Sequence, residues 1–185
     1  MTAGDALLAG TPDDGLQALP ALAAQGLTIR RLCERDMAWL PALYASTRED
    51  EMSRLPWPDA MKHGFLAQQC AAQHRHYVAV FADAEFYVVC DGDRPVGRFY
   101  LQPTPPLHRI IDIALLPGAR GRGVGTALIV ASQRRAYAQG CGMELHVFHS
   151  NADAARLYAR HGFVGVEGDP AASHRLMRWN RPEPS

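Results

Sequence analysis

One segment near the middle of this 185-residue chain constrains the fold more than any other. An apolar run over residues 110–116 leads into Arg120-Gly-Arg-Gly-Val-Gly125, and helical periodicity follows at once. Closely spaced glycines let main-chain N–H groups converge without obstruction from Cβ atoms. At the first turn of a helix, those groups add to the positive end of the helix dipole. The segment therefore predicts a strand, a loop and a helix that form an anion site, most naturally for a pyrophosphate.

Two common phosphate-binding loops do not fit this glycine pattern. A Walker A loop ends in Gly-Lys-Ser/Thr, but here Thr126 follows Gly125 with no lysine between them. A dinucleotide-binding loop that starts at Gly121 needs its third glycine at position 126, and it opens an alternating βαβ chain. In this chain the loop follows antiparallel hairpins instead. The pattern that fits is Arg-x-x-Gly-x-Gly, with Arg120, Gly123 and Gly125 at its fixed positions.

The periodicity of the rest of the chain predicts one mixed α/β (α+β) domain. Residues 1–26 have no periodicity and are predicted to be a flexible leader, residues 27–181 the domain, and residues 182–185 a tail. The predicted order of elements is β-α-α-β-β-β-α-β-α-β-β, with a mixed sheet between two helical layers. Strands are predicted at 27–32, 85–90, 96–101, 109–116, 143–148, 163–167 and 174–179. Helices are predicted at 36–47, 60–80, 124–139 and 151–161. Asp36, Asp59 and Asn151 are the predicted N-caps of the first, second and fourth of these helices.

Charge and composition exclude several classes of protein. The chain has 19 basic and 19 acidic residues, so bulk electrostatics do not favour nucleic acid. The charge is divided: residues 1–93 carry 7 basic and 13 acidic side chains (−6), and residues 94–185 carry 12 and 6 (+6). No run approaches the roughly 18 apolar residues of a membrane span, and the first residues lack the positive charge of a signal peptide. These features predict a cytoplasmic protein.

The cysteines and histidines do not predict a metal site. The four cysteines are far apart in the sequence, with no C-x-x-C pair, so neither a disulfide framework nor structural zinc is expected. His74 and His76 face different ways on a helix, and His146 and His149 point to opposite faces of a strand. The charge division favours instead an anionic ligand on the basic half and a cationic one on the acidic half, which includes Glu49-Asp50-Glu51.

Two motifs in the basic half resemble those of the GNAT superfamily of N-acetyltransferases. The first is Leu115-Leu-Pro-x-x-Arg-Gly-x-Gly-Val-Gly-x-Ala-Leu128, which looks like the coenzyme A pyrophosphate loop of that family. The second begins at Glu144-Leu-His-Val-Phe-His-Ser-Asn151 and continues to Tyr158 and Gly162-Phe163. The motifs have the family's order, and the order of elements agrees with the family from about residue 27 to residue 180.

The resemblance implies a fold and a cofactor site. We expect a mostly antiparallel sheet of about seven strands with helices on both faces, in which the parallel strands 109–116 and 143–148 splay apart. The cofactor is acetyl-CoA, held without a metal. The pantetheine arm pairs with main-chain groups of one strand, the loop amides bind the pyrophosphate, and Asn151 contacts the pantetheine. The residues expected at this cofactor site are Ile113, Ala114, Leu115, Arg120, Gly121, Arg122, Gly123, Val124, Gly125, Thr126 and Asn151.

The same resemblance implies acetyl transfer to a primary amine by direct attack in a ternary complex. Tyr158 protonates the thiolate of CoA, and the N–H of Leu115 stabilises the oxyanion. Asp112 and Glu144 are the candidates for the general base, with proton loss to water as the alternative. We expect a small-molecule or peptide amine as partner and a homodimer, with no nucleic acid and no membrane. A non-catalytic acyl-CoA-binding or regulatory module on the same fold is the competing hypothesis.

Overall fold

One seven-stranded sheet organises the chain in a computed structural model, which describes residue 16, residues 19–169 and residues 171–183. The helices are α1 (Pro20–Ala23), α2 (Leu40–Thr47), α3 (Glu49–Ser53), α4 (Asp59–Val80), α5 (Val124–Ala138) and α6 (Ala152–Arg160), with short 3-10 turns at Glu34–Ala38 and Pro117–Ala119. The strands are β1 (Leu27–Arg31), β2 (Glu85–Asp91), β3 (Arg94–Gln102), β4 (Leu107–Leu115), β5 (Gly142–Phe148), β6 (Val164–Gly165) and β7 (His174–Trp179).

The sheet has the strand order β1-β2-β3-β4-β5-β7-β6, and every neighbouring pair is antiparallel except β4 with β5. Apolar side chains on one face pack with Leu128 of α5 and Tyr158 of α6. Those on the other face pack with Leu43 of α2 and Leu66 of α4. Both faces are therefore covered by helices, and the predicted fold class is confirmed.

The N-terminal segment differs from the predicted leader where it is described. Pro20 begins helix α1, and Leu22 is buried in the same core as Leu27 of β1. Leu16 is also buried there, so ordered contacts begin before residue 27. The rest of the predicted leader, residues 1–15 and 17–18, lies outside the described residues.

Two of the predicted helix caps are wrong. Asp36 lies inside the 3-10 turn, where its carboxylate accepts a hydrogen bond from the N–H of Cys33 and pairs with Arg30 at 2.7 Å. Asp59 is the first residue of α4, after Pro58. Only Asn151 has the predicted geometry, because its Oδ1 accepts a hydrogen bond from the N–H of Ala154.

A bulge in β4 changes which side chains share a face of the strand. Tyr100 of β3 lies opposite Asp112, but Leu101 lies opposite Ile110, so Ile111 is the extra residue. Simple alternation would put Asp112 on the face opposite both Ile111 and Ile113. With the bulge, Ile111 packs in the α2/α4 core while Ile113 packs in the other. Asp112 and Ala114 thus follow Ile111 to the face beneath α4.

Gly97 of β3 permits the close approach of the end of β4. A Cβ atom at this position would lie 2.8 Å from the carbonyl oxygen of Ala114 and would also meet the side chain of Leu115. We predict that Gly97→Ala lowers the free energy of unfolding by about 1–3 kcal/mol, because the contact includes backbone. Gly64→Ala, in α4 with nothing within 4 Å of the added atom, is the control and should not destabilise the protein. Urea unfolding measures both; equal stability of Gly97→Ala and the wild type would contradict the prediction.

Buried His108 and half-buried His74 predict a loss of stability in mild acid. Burial lowers the pKa of His108, although its hydrogen bond with Gln139 opposes this, and burial together with Arg98 lowers the pKa of His74. The unfolded chain therefore binds more protons than the folded chain as the pH falls below about 6.5, the ordinary histidine value. The stability contributed by the neutral histidines is complete above that pH and is lost below it.

Urea unfolding between pH 7.5 and pH 5, conditions we choose around the ordinary histidine pKa, tests this directly. His108→Gln should show a shallower decline in unfolding free energy than the wild type, because one proton-linked group has been removed. His63→Gln, at an exposed position of α4, is the matched control and should follow the wild-type curve. A decline of His108→Gln as steep as that of the wild type would contradict the assignment.

Candidate active site

The two parallel strands at the centre of the sheet separate before they end. Pairing of β4 with β5 stops at Ile110 and Leu145, although β4 continues to Leu115. The N–H of Leu116 donates to Val96 of β3 at 2.8 Å. Since alternate residues direct their main-chain groups to opposite neighbours, those of Leu115 and Ile113 face the gap. The predicted splay is present, and it leaves main-chain groups for a ligand to pair with.

The glycine loop leads from this gap into the first turn of α5. Gly121 and Gly123 have φ angles of 72° and 79°, a left-handed conformation that strongly favours glycine, and Gly123 is the N-cap residue. Nothing lies within 4 Å of a Cβ placed at either position, so the space above the loop is open. The first N–H groups of a helix have no acceptor within it. The amides of Val124, Gly125 and Thr126 are therefore suited to hold an anion.

The two arginines of the loop have contacts that the sequence did not predict. Arg120 donates from Nε to the carbonyl of Leu115 at 2.8 Å and from Nη2 to the carbonyl of Ser46 at 3.1 Å. Arg122 donates to the carbonyl of Gln25 at 3.3 Å. Arg120 thus joins the loop to the ends of β4 and α2, and the anion site consists mainly of main-chain N–H groups.

Tyr158 of α6 is a buried phenol. Its side chain belongs to the core on the α5/α6 face of the sheet, with its ring centroid 5.9 Å from that of Phe163. Burial raises the pKa of Tyr158, and the negative charge of Asp112 raises it further. The phenol therefore keeps its proton at neutral pH, as a general acid must before it acts.

Asp112 is paired with a buried arginine. Its Oδ2 lies 2.5 Å from Nη2 of Arg98, whose side chain is only 3% exposed, while that of Asp112 is 17% exposed. Arg98 also donates to Oε1 of Gln73 in α4 at 2.6 Å. Arg98 and Gln73 were not among the predicted site residues, since the pairing depends on strand register and on the bulge in β4. Asp112 is thus the partly accessible end of a buried polar network.

Glu144 has a different environment from the one predicted for a base. It accepts hydrogen bonds from Arg109 of β4 and from Arg178 of β7, which lie on either side of it across the sheet. Burial alone would raise the pKa of Glu144, but the hydrogen bonds and charges of the two arginines outweigh burial, so its pKa lies below the usual value. A carboxylate held in this way is a weak proton acceptor, and its contacts indicate a cross-strand structural role.

Asn151 begins α6 and remains exposed. Its Oδ1 caps the helix through the N–H of Ala154 at 3.1 Å, so the side-chain NH₂ group takes no part in the cap. Capping is therefore compatible with a contact between the NH₂ group and a ligand in the gap.

The part of the chain that the structure describes holds neither a candidate membrane span nor a candidate metal cluster. Among residues 16, 19–169 and 171–183, no helix is both long and apolar enough to cross a membrane. Within the same ranges, no group of three or more His, Cys, Asp or Glu side chains is arranged to hold a metal ion.

Comparisons with known proteins agree with the geometry of the gap and loop. The sequence profile of the acetyltransferase (GNAT) family matches residues 42–163. A crystal structure of PaiA N-acetyltransferase from Thermoplasma acidophilum, in complex with coenzyme A, superposes with a TM-score of 0.64 at 16% identity, covering 83% of this chain and 98% of that one. An acetyltransferase structure from Streptococcus agalactiae gives 0.58 at 16% identity, covering 84% and 98%.

Two curated relatives have the name mycothiol acetyltransferase. The protein from Frankia casuarinae is 30% identical over 191 residues, which cover 95% of this chain and 49% of the relative. The protein from Streptomyces scabiei is 29% identical over 150 residues, which cover 78% and 45%. This chain therefore spans about half the length of the curated relatives it matches.

Proposed function

Since this chain belongs to the GNAT family of acetyltransferases, we propose that it transfers an acetyl group from acetyl-CoA to a primary amine in a ternary complex. The observation that carries the proposal is the gap between β4 and β5, which leads directly to the left-handed glycines at the start of α5. The curated relatives are about twice as long, so the acceptor in their name is not carried over to this chain.

The residues around the gap fit acetyl-CoA. Main-chain groups of Ile113 and the N–H of Leu115 face the gap, where an extended pantetheine arm can pair with Ile113 as a strand would. The carbonyl of Leu115 already accepts a hydrogen bond from Arg120. The first-turn amides of α5 suit the pyrophosphate. We propose that Arg120 fixes the loop through Leu115 and Ser46, since its guanidinium already bonds to their carbonyls. The exposed NH₂ group of Asn151 is available for a further contact.

Three groups of the chain carry the chemistry in this proposal. The N–H of Leu115 stabilises the oxyanion that forms when the amine attacks the thioester carbonyl. Tyr158 donates its proton to the departing sulfur as the C–S bond breaks, and the surplus proton of the newly acylated nitrogen then restores the phenol. Asp112 binds the ammonium form of the acceptor and passes its proton to water before the N–C bond forms. Glu144 has no part in these steps, because two arginines already hold its carboxylate.

Thiol release from acetyl-CoA across a panel of amines tests the proposal. The panel contains an aliphatic amine, an aromatic amine, a polyamine, an amino acid amide and a peptide with a free N-terminus. At least one should release CoA faster than buffer does, with the rate proportional to enzyme. Binding of acetyl-CoA without release for any amine would favour the non-catalytic acyl-CoA-binding module and contradict the proposed activity.

A further inference from the structure

Arg98 of β3 is a buried charge one strand away from the gap, with only 3% of its side chain exposed. One nitrogen, Nη2, bridges Gln73 of α4 at 2.6 Å and Asp112 of β4 at 2.5 Å. The guanidinium also lies over the ring of Tyr100, with its carbon 5.2 Å from the ring centroid. These contacts hold Arg98 from three sides, through two strands and one helix.

Stability does not explain this arrangement. The other two nitrogens of Arg98, Nε and Nη1, and the hydroxyl of Tyr100 are buried and make no hydrogen bond of good geometry among the described residues, although Arg98 interacts at close range with Cys70 and Tyr100. Buried ion pairs often stabilise a protein no better than apolar side chains of the same size, and buried donors without partners are costly. A network that buries several such polar atoms is costly to the folded state, and this cost points to a function at the solvent-accessible end of the network.

The accessible end is Asp112. Arg98 holds Oδ2, and within the described residues Oδ1 accepts no hydrogen bond. We propose that Arg98 is a positioning residue that acts through Asp112: it fixes the carboxylate so that Oδ1 faces the acceptor amine, while Gln73 fixes Arg98. This inference rests on the proposed function, because it assigns Asp112 to the acceptor. It adds a dependence of turnover on two residues that do not touch either substrate.

A double-mutant cycle on turnover tests the inference, with the most active amine of the panel as the probe. We expect Asp112→Asn to lower kcat about 100-fold, the range of a lost proton-transfer group. Arg98→Gln should lower kcat by about 10-fold or more, and the double variant should match Asp112→Asn within about twofold. The KM for acetyl-CoA should change by less than about twofold throughout, since neither residue touches the cofactor.

Two further variants keep the result interpretable. Arg135→Gln removes another arginine of low exposure from an ion pair, with Glu85, on the opposite face of the sheet, and should leave kcat unchanged. Gln73→Leu keeps the ion pair of Arg98 with Asp112 and removes only the hydrogen bond that Arg98 donates to Gln73. This variant replaces Arg98→Gln in the test if Arg98→Gln does not fold. Gln73→Leu should lower kcat about threefold in the otherwise wild-type protein but not in the Asp112→Asn background.

The outcomes separate this inference from the proposed function. Non-additive losses of kcat support a positioning role for Arg98. Losses that multiply in the double variant, or a wild-type kcat in folded Arg98→Gln or Gln73→Leu, would overturn it while the proposed function stands. Wild-type protein that turns over no amine of the panel would overturn the proposed function itself.

Discussion

Gly123→Glu is expected to weaken acetyl-CoA binding at least about 100-fold, equivalent to roughly 2.7 kcal/mol. Gly123 is the N-cap of α5 with a φ of 79°, a conformation that costs other residues about 1–2 kcal/mol. The new carboxylate also places negative charge where the first-turn amides should bind the pyrophosphate. Isothermal titration with acetyl-CoA measures the loss.

The matched control makes the same chemical change elsewhere. Gly64→Glu lies at an exposed position of α4 with nothing within 4 Å of the added Cβ, so its affinity should stay within about twofold of wild type. Gly123→Ala removes the added charge and retains the strain, and it should give a smaller loss than Gly123→Glu. Wild-type affinity in a folded Gly123→Glu variant would show that the pyrophosphate lies elsewhere.

Tyr158→Phe is expected to lower kcat about 100-fold or more while the Kd for acetyl-CoA changes little. The variant deletes one hydroxyl from a ring that remains packed against Phe163. Burial and the charge of Asp112 raise the pKa of Tyr158, so the wild-type phenol holds the proton that the thiolate needs across the physiological pH range. Steady-state kinetics and titration of the same preparation separate the two effects.

A second tyrosine provides the comparison. Tyr137 of α5 is 40% exposed and packs against Arg181, far from the assigned chemistry. Tyr137→Phe should retain wild-type kcat and wild-type affinity. Equal kcat for Tyr158→Phe and the wild type would remove the acid role and leave Tyr158 as a packing residue of α6.

The features that could be predicted from the sequence are those with local signals. Alternating apolar residues predicted the hairpin of β2 and β3, and the glycine pattern predicted the turn before α5. The splay of β4 and β5 followed from the family resemblance that this pattern supports. The hairpin signal lies within residues 85–101 and the loop signal within residues 115–128, so neither strand register nor side-chain packing was needed to detect them.

The features that were missed depend on long-range contacts. Arg98 and Asp112 are 14 positions apart and meet only because β3 and β4 pair with a bulge at Ile111. The contact of Arg120 with Ser46 spans 74 positions. The alternation of side chains along a strand does not reveal where a β-bulge lies. The hydrogen-bond partner of an arginine depends on which carbonyl groups the tertiary fold brings near it. The general base was therefore the least predictable part of the site, and Glu144 proved to be held by two arginines.

Transfer of an isotopically labelled acetyl group shows whether the protein moves acetyl from CoA to an amine. The protein is incubated with acetyl-CoA labelled in its acetyl carbons and with the most active amine of the panel, and the products are measured by mass spectrometry. We expect labelled acetyl on the amine and free CoA in equal amounts, with both reduced together in Tyr158→Phe. Unchanged acetyl-CoA after saturating binding, or free CoA without a labelled amine, would contradict it.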